Sequence, residues 1–377
     1  MKQGWEIKAF DDCIEKVKVK TKLPSSSYQK EGAFPIVSQE KELISGYWDN
    51  EEDVITLSTP ATIFGDHTMV VKYIDFDFVV GADGVKILKP KSFLNPKYFY
   101  YWVRSADISS RGYARHYRYL REKIVSIPSL AEQKRIVEIL DREFERIDAL
   151  KANAEQNLQH AKDLFQAALR QELQPKAGWE TKTIGEIAEL KGGKRVPKGY
   201  KLEINPTGYP YIRVADFNDI GTVDLDDIHY ISKEVFEGIK RYIITTNDVY
   251  ISIAGTIGKS GIIPEELNGA NLTENACRLV FKEKAEKKYI YYCTIGCDFK
   301  EQIAKLTMQA AQPKLALTRL ATAVISLPSL SEQESIVARL DKLSEHCKSL
   351  EDNYKRTIAL CDDMKQALLR KAFNGEL

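Results

Sequence analysis

Histidine is scarce in this chain: five among 377 residues. His67, His116, His160, His229 and His346 are too dispersed to form a metal site. The six cysteines are equally scattered, at Cys13, Cys277, Cys293, Cys297, Cys347 and Cys361. Only Cys293 and Cys297 lie close together, and no paired CxxC or nearby His completes a zinc set. Reduced thiols are expected. No apolar run is long enough to span a bilayer, and Met1-Lys2-Gln3-Gly4-Trp5-Glu6 lacks the apolar core of a signal peptide. These absences predict a cytoplasmic protein without a membrane partner. The formal net charge is only +1, which does not by itself favour nucleic acid but can hide a local asymmetry.

Catalytic signatures are missing as well. There is no GxSxG elbow, no HExxH helix, no HxE with a PCxxC and no Gly-rich dinucleotide loop after a strand. The nearest approach to a P-loop is Ala254-Gly255-Thr256-Ile257-Gly258-Lys259-Ser260. Walker A requires Gly where Ile253 stands, so a turn between two strands is expected there. The carboxylates Asp224, Asp226 and Asp227 read as a solvated turn. The expectation is a chain that is no enzyme by itself and binds no metal or cofactor.

What is present is a repeat. Ile127-Pro128-Ser129-Leu130-Ala131-Glu132-Gln133 returns as Leu327-Pro328-Ser329-Leu330-Ser331-Glu332-Gln333. The register holds to Asp163, Gln166, Leu169 and Arg170, matched by Asp363, Gln366, Leu369 and Arg370. Gly4-Trp5-Glu6 likewise returns as Gly178-Trp179-Glu180, so the duplication covers a globular unit plus a helix. Four segments follow: 1–130 globular, 131–175 long helix, 176–330 globular and 331–377 long helix.

The globular segments read as mixed α/β. Val54–Leu57, Met69–Ile74 and Phe76–Val80 have strand character, as do Tyr209–Val214 and Asp248–Ile253. Asn95-Pro96 opens a helix with an aromatic face, and Tyr289–Tyr292 resembles that face. Between these anchors the two segments diverge, and the second is longer by about two dozen residues. The long segments carry heptad seams. One runs through Val137, Leu140, Phe144, Ile147, Ala154, Leu158, Ala161, Phe165 and Ala168. The other runs through Leu340, Leu343, Cys347, Leu350, Tyr354, Cys361, Met364 and Leu368. Each helix would run roughly 60 Å. At the joint, Ser129 or Ser331, together with Glu132, falls where a helix cap and first turn belong. Connectivity predicts that the helices pair antiparallel, with the globular segments at opposite ends of the rod. The fold class expected is α+β: two α/β recognition domains on a two-helix coiled-coil spacer, related by a pseudo-two-fold repeat.

Binding signals are richer than catalytic ones. Arg104, Arg111, Arg115, Arg118, Arg121 and Lys123 are interleaved with Tyr113, His116, Tyr117 and Tyr119. Lys191-Gly192-Gly193-Lys194-Arg195-Val196-Pro197-Lys198-Gly199-Tyr200-Lys201 is a basic loop without an acid. Lys and Arg neutralise phosphates, and Gly lets the backbone approach them. Two basic patches in two duplicated units point to nucleic acid, although either alone would read as solvated surface. Candidate contacts to phosphates and base edges are Ser38, Gln39, Lys72, Arg111, Arg115 and Arg118 in the first unit. In the second they are Lys191, Lys194, Arg195, Lys198, Arg213, Asn218, Ser252, Thr256, Lys259, Asn275, Gln309 and Gln312. Taken singly, each possible base reader is better explained as a turn or capping residue.

This pattern resembles the DNA-specificity subunits of type I restriction–modification systems. It rests on the Gly-Trp openings, divergent globular units, Pro-Ser-Leu-x-Glu-Gln-x-x-Ile-Val and long helices, all occurring twice. Tyr211–Phe217 and Asp248–Gly258 are similar to stretches of that family's target-recognition domains. Phe34–Gln39 and Ile63–Thr68 look like counterparts from another branch. The resemblance implies that each globular unit reads one half of a split, asymmetric site in double-stranded DNA. It implies that the rod spaces the readers and docks two modification subunits, with restriction subunits joining the complex. S-adenosylmethionine, ATP and Mg would belong to those partners, which would supply adenine methylation and ATP-driven cleavage. The competing readings are a coiled-coil scaffold without DNA specificity and a nucleotide-dependent enzyme built on the Gly255–Ser260 turn.

Overall fold

The computed structural model describes residues 4–82, 84–108, 112, 114–282, 284–307 and 313–377. The chain forms two compact units, Met1–Gln156 with Tyr354–Leu377, and Asn157–Asn353. In unit 1 the order is β1 (Glu6–Ala9), β2 (Ile14–Glu15), β3 (Phe34–Val37), β4 (Gly46–Trp48), β5 (Val54–Ile55), β6 (Ala61–Gly65), β7 (Val71–Ile74), β8 (Phe78–Val80) and β9 (Val85–Pro90). Helices α1 (Pro96–Ser105) and α2 (Tyr117–Arg121) and strand β10 (Ile124–Ile127) follow, leading into α3 (Leu130–Glu172). Strands β2-β9-β6-β7 make one antiparallel sheet. Strands β4-β3-β8-β5 make another, in which β3 and β8 run parallel with Ile36 opposite Val79. Val37, Ile63, Ile74, Phe78, Val80 and Val85 form the apolar cluster of these strands. The expected helix start is present: Asn95 Oδ1 accepts the N–H groups of Lys97 and Tyr98 at 3.0 Å, with Pro96 in the first turn.

Unit 2 runs β11 (Glu180–Thr183), α4 (Ile184–Ile187), β12 (Ala188–Gly192), β13 (Pro210–Ile212), β14 (His229–Tyr230), α5 (Lys233–Ile239), β15 (Val249–Ser252), β16 (Ser260–Gly261), β17 (Asn271–Leu272) and β18 (Ala276–Phe281). Then come α6 (Lys287–Ile295), α7 (Cys297–Leu306), α8 (Leu317–Leu320), β19 (Val324–Leu327) and α9 (Leu330–Asn374). The sheet β12-β18-β15-β16 repeats the strand order of β2-β9-β6-β7, and β13 pairs β17 in parallel as β3 pairs β8. Two divergent sequences therefore share one topology. The extra length of unit 2 includes α5 and a small apolar cluster of its own, with Tyr209 stacked on Phe236 at 4.5 Å.

The repeated stretch is a joint, and most of its hydrogen bonds recur in both units. Strand β1 pairs β10 with Glu6 opposite Ile127, and β11 pairs β19 with Glu180 opposite Leu327. Ser129 Oγ accepts from Glu132 N and Ser329 Oγ from Glu332 N. The cap of the second helix is therefore Ser329 and not Ser331, because α9 begins at Leu330. Gln133 is fully buried. Its Nε2 donates to the carbonyls of Pro128 (2.9 Å) and Phe93 (3.0 Å), and its Oε1 accepts from Asn95 N at 2.7 Å. Gln333 repeats two of these bonds, its Nε2 donating to Pro328 O at 2.9 Å and its Oε1 accepting from Glu286 N at 3.0 Å. Tyr98 and Tyr289 donate to the carbonyls of Ser126 and Ser326 at 2.7 and 2.6 Å. Tyr101 and Tyr292 donate to Asp141 and Asp341 at 2.5 Å, and Lys97 and Lys288 reach the same carboxylates at 2.8 and 2.7 Å. Burial and then the carboxylate bond push both phenols well above their ordinary range.

The long helices pair antiparallel within each unit. In unit 1, Lys151 meets Asp362 at 2.7 Å and Lys365 meets Asp148, while Ile136, Leu140 and Phe144 share a core with Leu369 and Ala372. In unit 2, Arg339 Nη2 meets Glu172 at 2.6 Å and Leu169 packs with Ile336, Val337 and Leu340. Two seam positions behave differently from the heptad expectation: Leu350 and Met364 are 40% and 48% exposed. The fully buried end positions Ile136, Leu169 and Leu369 fall outside the heptad series because the helix ends pack against globular cores instead of a second helix alone.

Candidate nucleic-acid interface

In unit 1 several loops converge at one end of the strands. Asp66 N–H donates to Gly84 O at 2.7 Å, and Asp66 O accepts from His116 N at 2.8 Å. Asp66 Oδ1 also accepts from Tyr117 N at 2.9 Å. Gln39 ties in a further loop: its Oε1 accepts from His67 N at 3.2 Å, and its carbonyl accepts from Thr68 Oγ1 at 2.6 Å. Met69 and Ala82, at φ +56° and +45°, adopt left-handed backbone in these turns, a conformation that side-chain-bearing residues rarely hold without surrounding constraint.

The candidates in unit 1 divide sharply. Ser38 and Lys72 are buried. Ser38 Oγ bonds Ser45 Oγ at 2.7 Å, and Lys72 Nζ donates to the carbonyls of Ser38 (2.9 Å) and Glu42. Burial lowers the Lys72 pKa. These residues, with Gln39, hold the 38–45 loop in place. Arg115 and Arg118 are exposed, Arg118 lying over the Tyr119 ring at 4.5 Å. Arg121 is occupied by Asp11, with Nε at 2.9 Å. His116 is fully buried, and the Tyr117 ring packs against Phe10 and Phe64 at 6.1 and 6.3 Å. Those two aromatics belong to the core and are not placed to stack on bases. Arg111 lies outside the described residues, as do Gln309 and Gln312.

Unit 2 has the same convergence. Ile253 N donates to Asn275 O at 2.7 Å, and Ile253 O accepts from Leu315 N at 2.9 Å. These bonds match those of Asp66 with Gly84 and His116, so Lys314 occupies the place of Arg115. Lys314 is exposed; sequence reasoning missed it because no residue signature links the two loops. The Gly255–Ser260 stretch is the expected turn, between β15 and β16, with Gly255 and Gly258 at φ +75° and +86°. Buried Ser252 holds it, its Oγ donating to Thr256 O and accepting from Lys259 N. Thr256 is exposed, and Lys259 pairs with Asp219 at 3.0 Å. Asn275 is half-buried. Arg213 is spent on Asp216 and Asp227, and Asn218 bonds Asp224 while accepting from Thr222 N at 2.9 Å.

In the basic loop, Lys191 pairs with Glu189 at 3.0 Å and Arg195 with Glu274 at 2.5 Å. Lys194, over the Tyr242 ring at 5.9 Å, and Lys198 are exposed. Gly193 is required where it stands: a Cβ would lie 2.1 Å from the Thr273 carbonyl oxygen. A second basic segment escaped the sequence reading. In 16–22, Lys16, Lys18, Lys20 and Lys22 are exposed, while Val17 and Val19 pack inward. Among the described residues no group of three or more His, Cys, Asp and Glu side chains is placed to hold a metal, and no helix is long and apolar enough to cross a membrane.

This arrangement, two like-folded loop platforms each carrying exposed cations and joined to a helical frame, is that of a binding protein. Residues 2–160 and 176–359 match the family model described as type I restriction modification DNA specificity domain. The chain is 28% identical over 359 residues to the EcoR124I/EcoR124II specificity subunit of Escherichia coli, covering 90% of this chain and 86% of that one. It is 30% identical over 284 residues to the EcoBI specificity subunit of the same organism, covering 69% of this chain and 60% of the relative's length. Among solved structures, a chain from a type I R-M system studied for complex assembly and conformational transition superposes with a TM-score of 0.76 at 18% identity. That match covers 100% of this chain and 99% of the other. The HsdS subunit of Thermoanaerobacter tengcongensis gives 0.55 at 19% identity, covering 100% and 98%. The chain belongs to the type I restriction–modification DNA-specificity family. Its place there is that of the specificity subunit, non-catalytic by itself, in a complex that supplies methylation and restriction.

Proposed function

We propose that the two units each read one half of a split, asymmetric site in double-stranded DNA. The observation that carries this is the pairing of one topology and one set of joint hydrogen bonds with two unlike sets of loops. A common frame holding different readers gives two different half-sites. On this reading the chain divides into recognition domain 1–130, spacer helix 131–175, recognition domain 176–330 and spacer helix 331–377. The exposed candidates Arg115, Arg118, Lys194, Lys198 and Thr256, with Lys259, Asn275 and the added Lys314, are the groups assigned to phosphates and base edges. Ser38, Gln39, Lys72, Ser252, Arg213 and Asn218 shape the loops that present them.

Two modification subunits dock on the helices, with restriction subunits beyond them. Leu150 and Leu350, and Leu164 and Met364, are exposed apolar residues at matching positions of α3 and α9. Repeated apolar contacts on a duplicated frame suit two copies of one partner. S-adenosylmethionine, ATP and Mg are bound by those partners, and the complex works in the cytoplasm. The test is to map N6-methyladenine across the source genome with and without this gene. The expected result is loss of a two-part motif whose halves differ and are separated by unread base pairs. A palindromic motif, or no change in methylation, would overturn the reading.

A further inference from the structure

The segment 16–22 leaves β2 with a strict alternation: Lys16, Lys18, Lys20 and Lys22 are exposed, while Val17, Val19 and Thr21 are half-buried. Val17 and Val19 are fastened to the apolar cluster of unit 1, which fixes the lysines on the opposite, outward side. The segment ends at Leu23, whose N–H donates to Val80 O at 3.0 Å and whose carbonyl accepts from Ala82 N at 2.6 Å. The row thus runs up to the β8–β9 connector that carries Gly84 and the converging loops. Acids border the row. Glu15 is paired with Lys89 at 2.8 Å, and Asp53, held low first by Thr21 and Trp48, also feels Lys20.

The topologically matching segment of unit 2, which follows β12 as this one follows β2, is also basic. Lys194, Lys198 and Lys201 are exposed there, and Lys194 N–H donates to Leu272 O at 2.8 Å, beside the matching connector. Both units thus carry positive charge beside this connector, in unit 1 on the residues that lead up to Leu23 and in unit 2 from the matching Lys194 onward. Alternate residues of an extended chain are about 6.6 Å apart, so four lysines span about 20 Å. One DNA strand presents a phosphate every ~3.4 Å of helix axis and winds as it rises, so a row of this length reaches enough backbone for each lysine to meet a phosphate.

Building on the DNA-reading function proposed above, we propose that Lys16, Lys18, Lys20 and Lys22 form a rail that grips the phosphate backbone of duplex DNA independently of sequence. The rail supplies affinity and register, and the loops supply discrimination. The test uses the full chain co-expressed with its modification subunits. Affinity is measured between about 50 and 200 mM salt for a duplex carrying the mapped site and for a shuffled duplex of equal length. Replacing all four lysines by Gln should lower the slope of log K against log salt by about 3.6, from ~0.9 for each of four phosphate contacts. Both duplexes should weaken together, leaving their affinity ratio unchanged, and the fourfold Lys→Arg variant should retain the wild-type slope. An unchanged slope in the Gln variant, or a loss confined to the mapped site, would overturn the rail. If the wild-type complex fails to distinguish the two duplexes, the site-reading proposal falls, while the slope on the shuffled duplex still decides the rail.

Discussion

Gln133→Ala isolates the joint. The side chain is fully buried and makes three hydrogen bonds, to Pro128 O, Phe93 O and Asn95 N. Truncation leaves two carbonyls and one N–H without protein partners. At about 1–3 kcal/mol per buried unsatisfied group, with partial relief from entering water, the expected loss is about 3–5 kcal/mol in unit 1. Gln333→Ala removes two such bonds and should cost less, about 2–4 kcal/mol. Because two units need not unfold together, the readout is amide hydrogen exchange by residue segment alongside denaturant unfolding. Protection should fall at 93–98 in the first variant and at 284–289 in the second. Gln133→Glu is a sharper probe. It keeps the acceptor for Asn95 but turns a carboxylate towards two carbonyls, raising its pKa in the folded state. The variant should therefore be most stable below the unfolded carboxyl pKa and lose stability as pH rises through the folded one. A Gln133→Ala protein within about 1 kcal/mol of wild type, with unchanged protection at Asn95, would refute the reasoning.

Two further outcomes follow from burial. Lys72 has its pKa lowered by desolvation, so its folded value lies below its unfolded one. Between the two, the unfolded chain holds the extra proton, and stability rises with pH through that interval. Lys72→Met should abolish this rise while freeing the carbonyls of Ser38 and Glu42, seen as an alkaline stability profile that flattens and a 38–45 loop that exchanges faster. Among the six free cysteines only Cys297 is not buried, and burial raises Cys13, Cys277 and Cys293 to about 11, 12 and 12. A thiol reagent near neutral pH should therefore modify Cys297 first, the others following only on unfolding, as peptide mass spectrometry would report.

Much of the frame was legible because its signals are local. The repeated Pro-Ser-Leu-x-Glu-Gln register, Asn95-Pro96 and the heptad spacing act over one or two helical turns, where residue type and geometry are tightly coupled. The same locality explains why the Gly255–Ser260 turn could be read as a turn. The joint was only half legible. Ser129 and its repeat were visible as caps, but the reach of Gln133 to Asn95 and of Tyr101 to Asp141 spans about forty residues, beyond any periodic signal.

The site followed the same division. Its residue types, Lys and Arg among Gly and polar loops, were visible as composition. Which of them face solvent was not, because exposure depends on strand register: Lys72 alternates inward on β7, whereas Lys16 to Lys22 alternate outward. Arg213 and Arg115 are the same residue type, and both lie in loops. One is held by Asp216 and Asp227 and the other is exposed. The sequence by itself determined the duplication and the helical frame, since each is written in spacing along the chain. The tertiary structure alone decided which polar groups hold the loops and which are left exposed to solvent. A donor's role depends on the acceptor that folding brings to it, and that acceptor is set by register across the sheet.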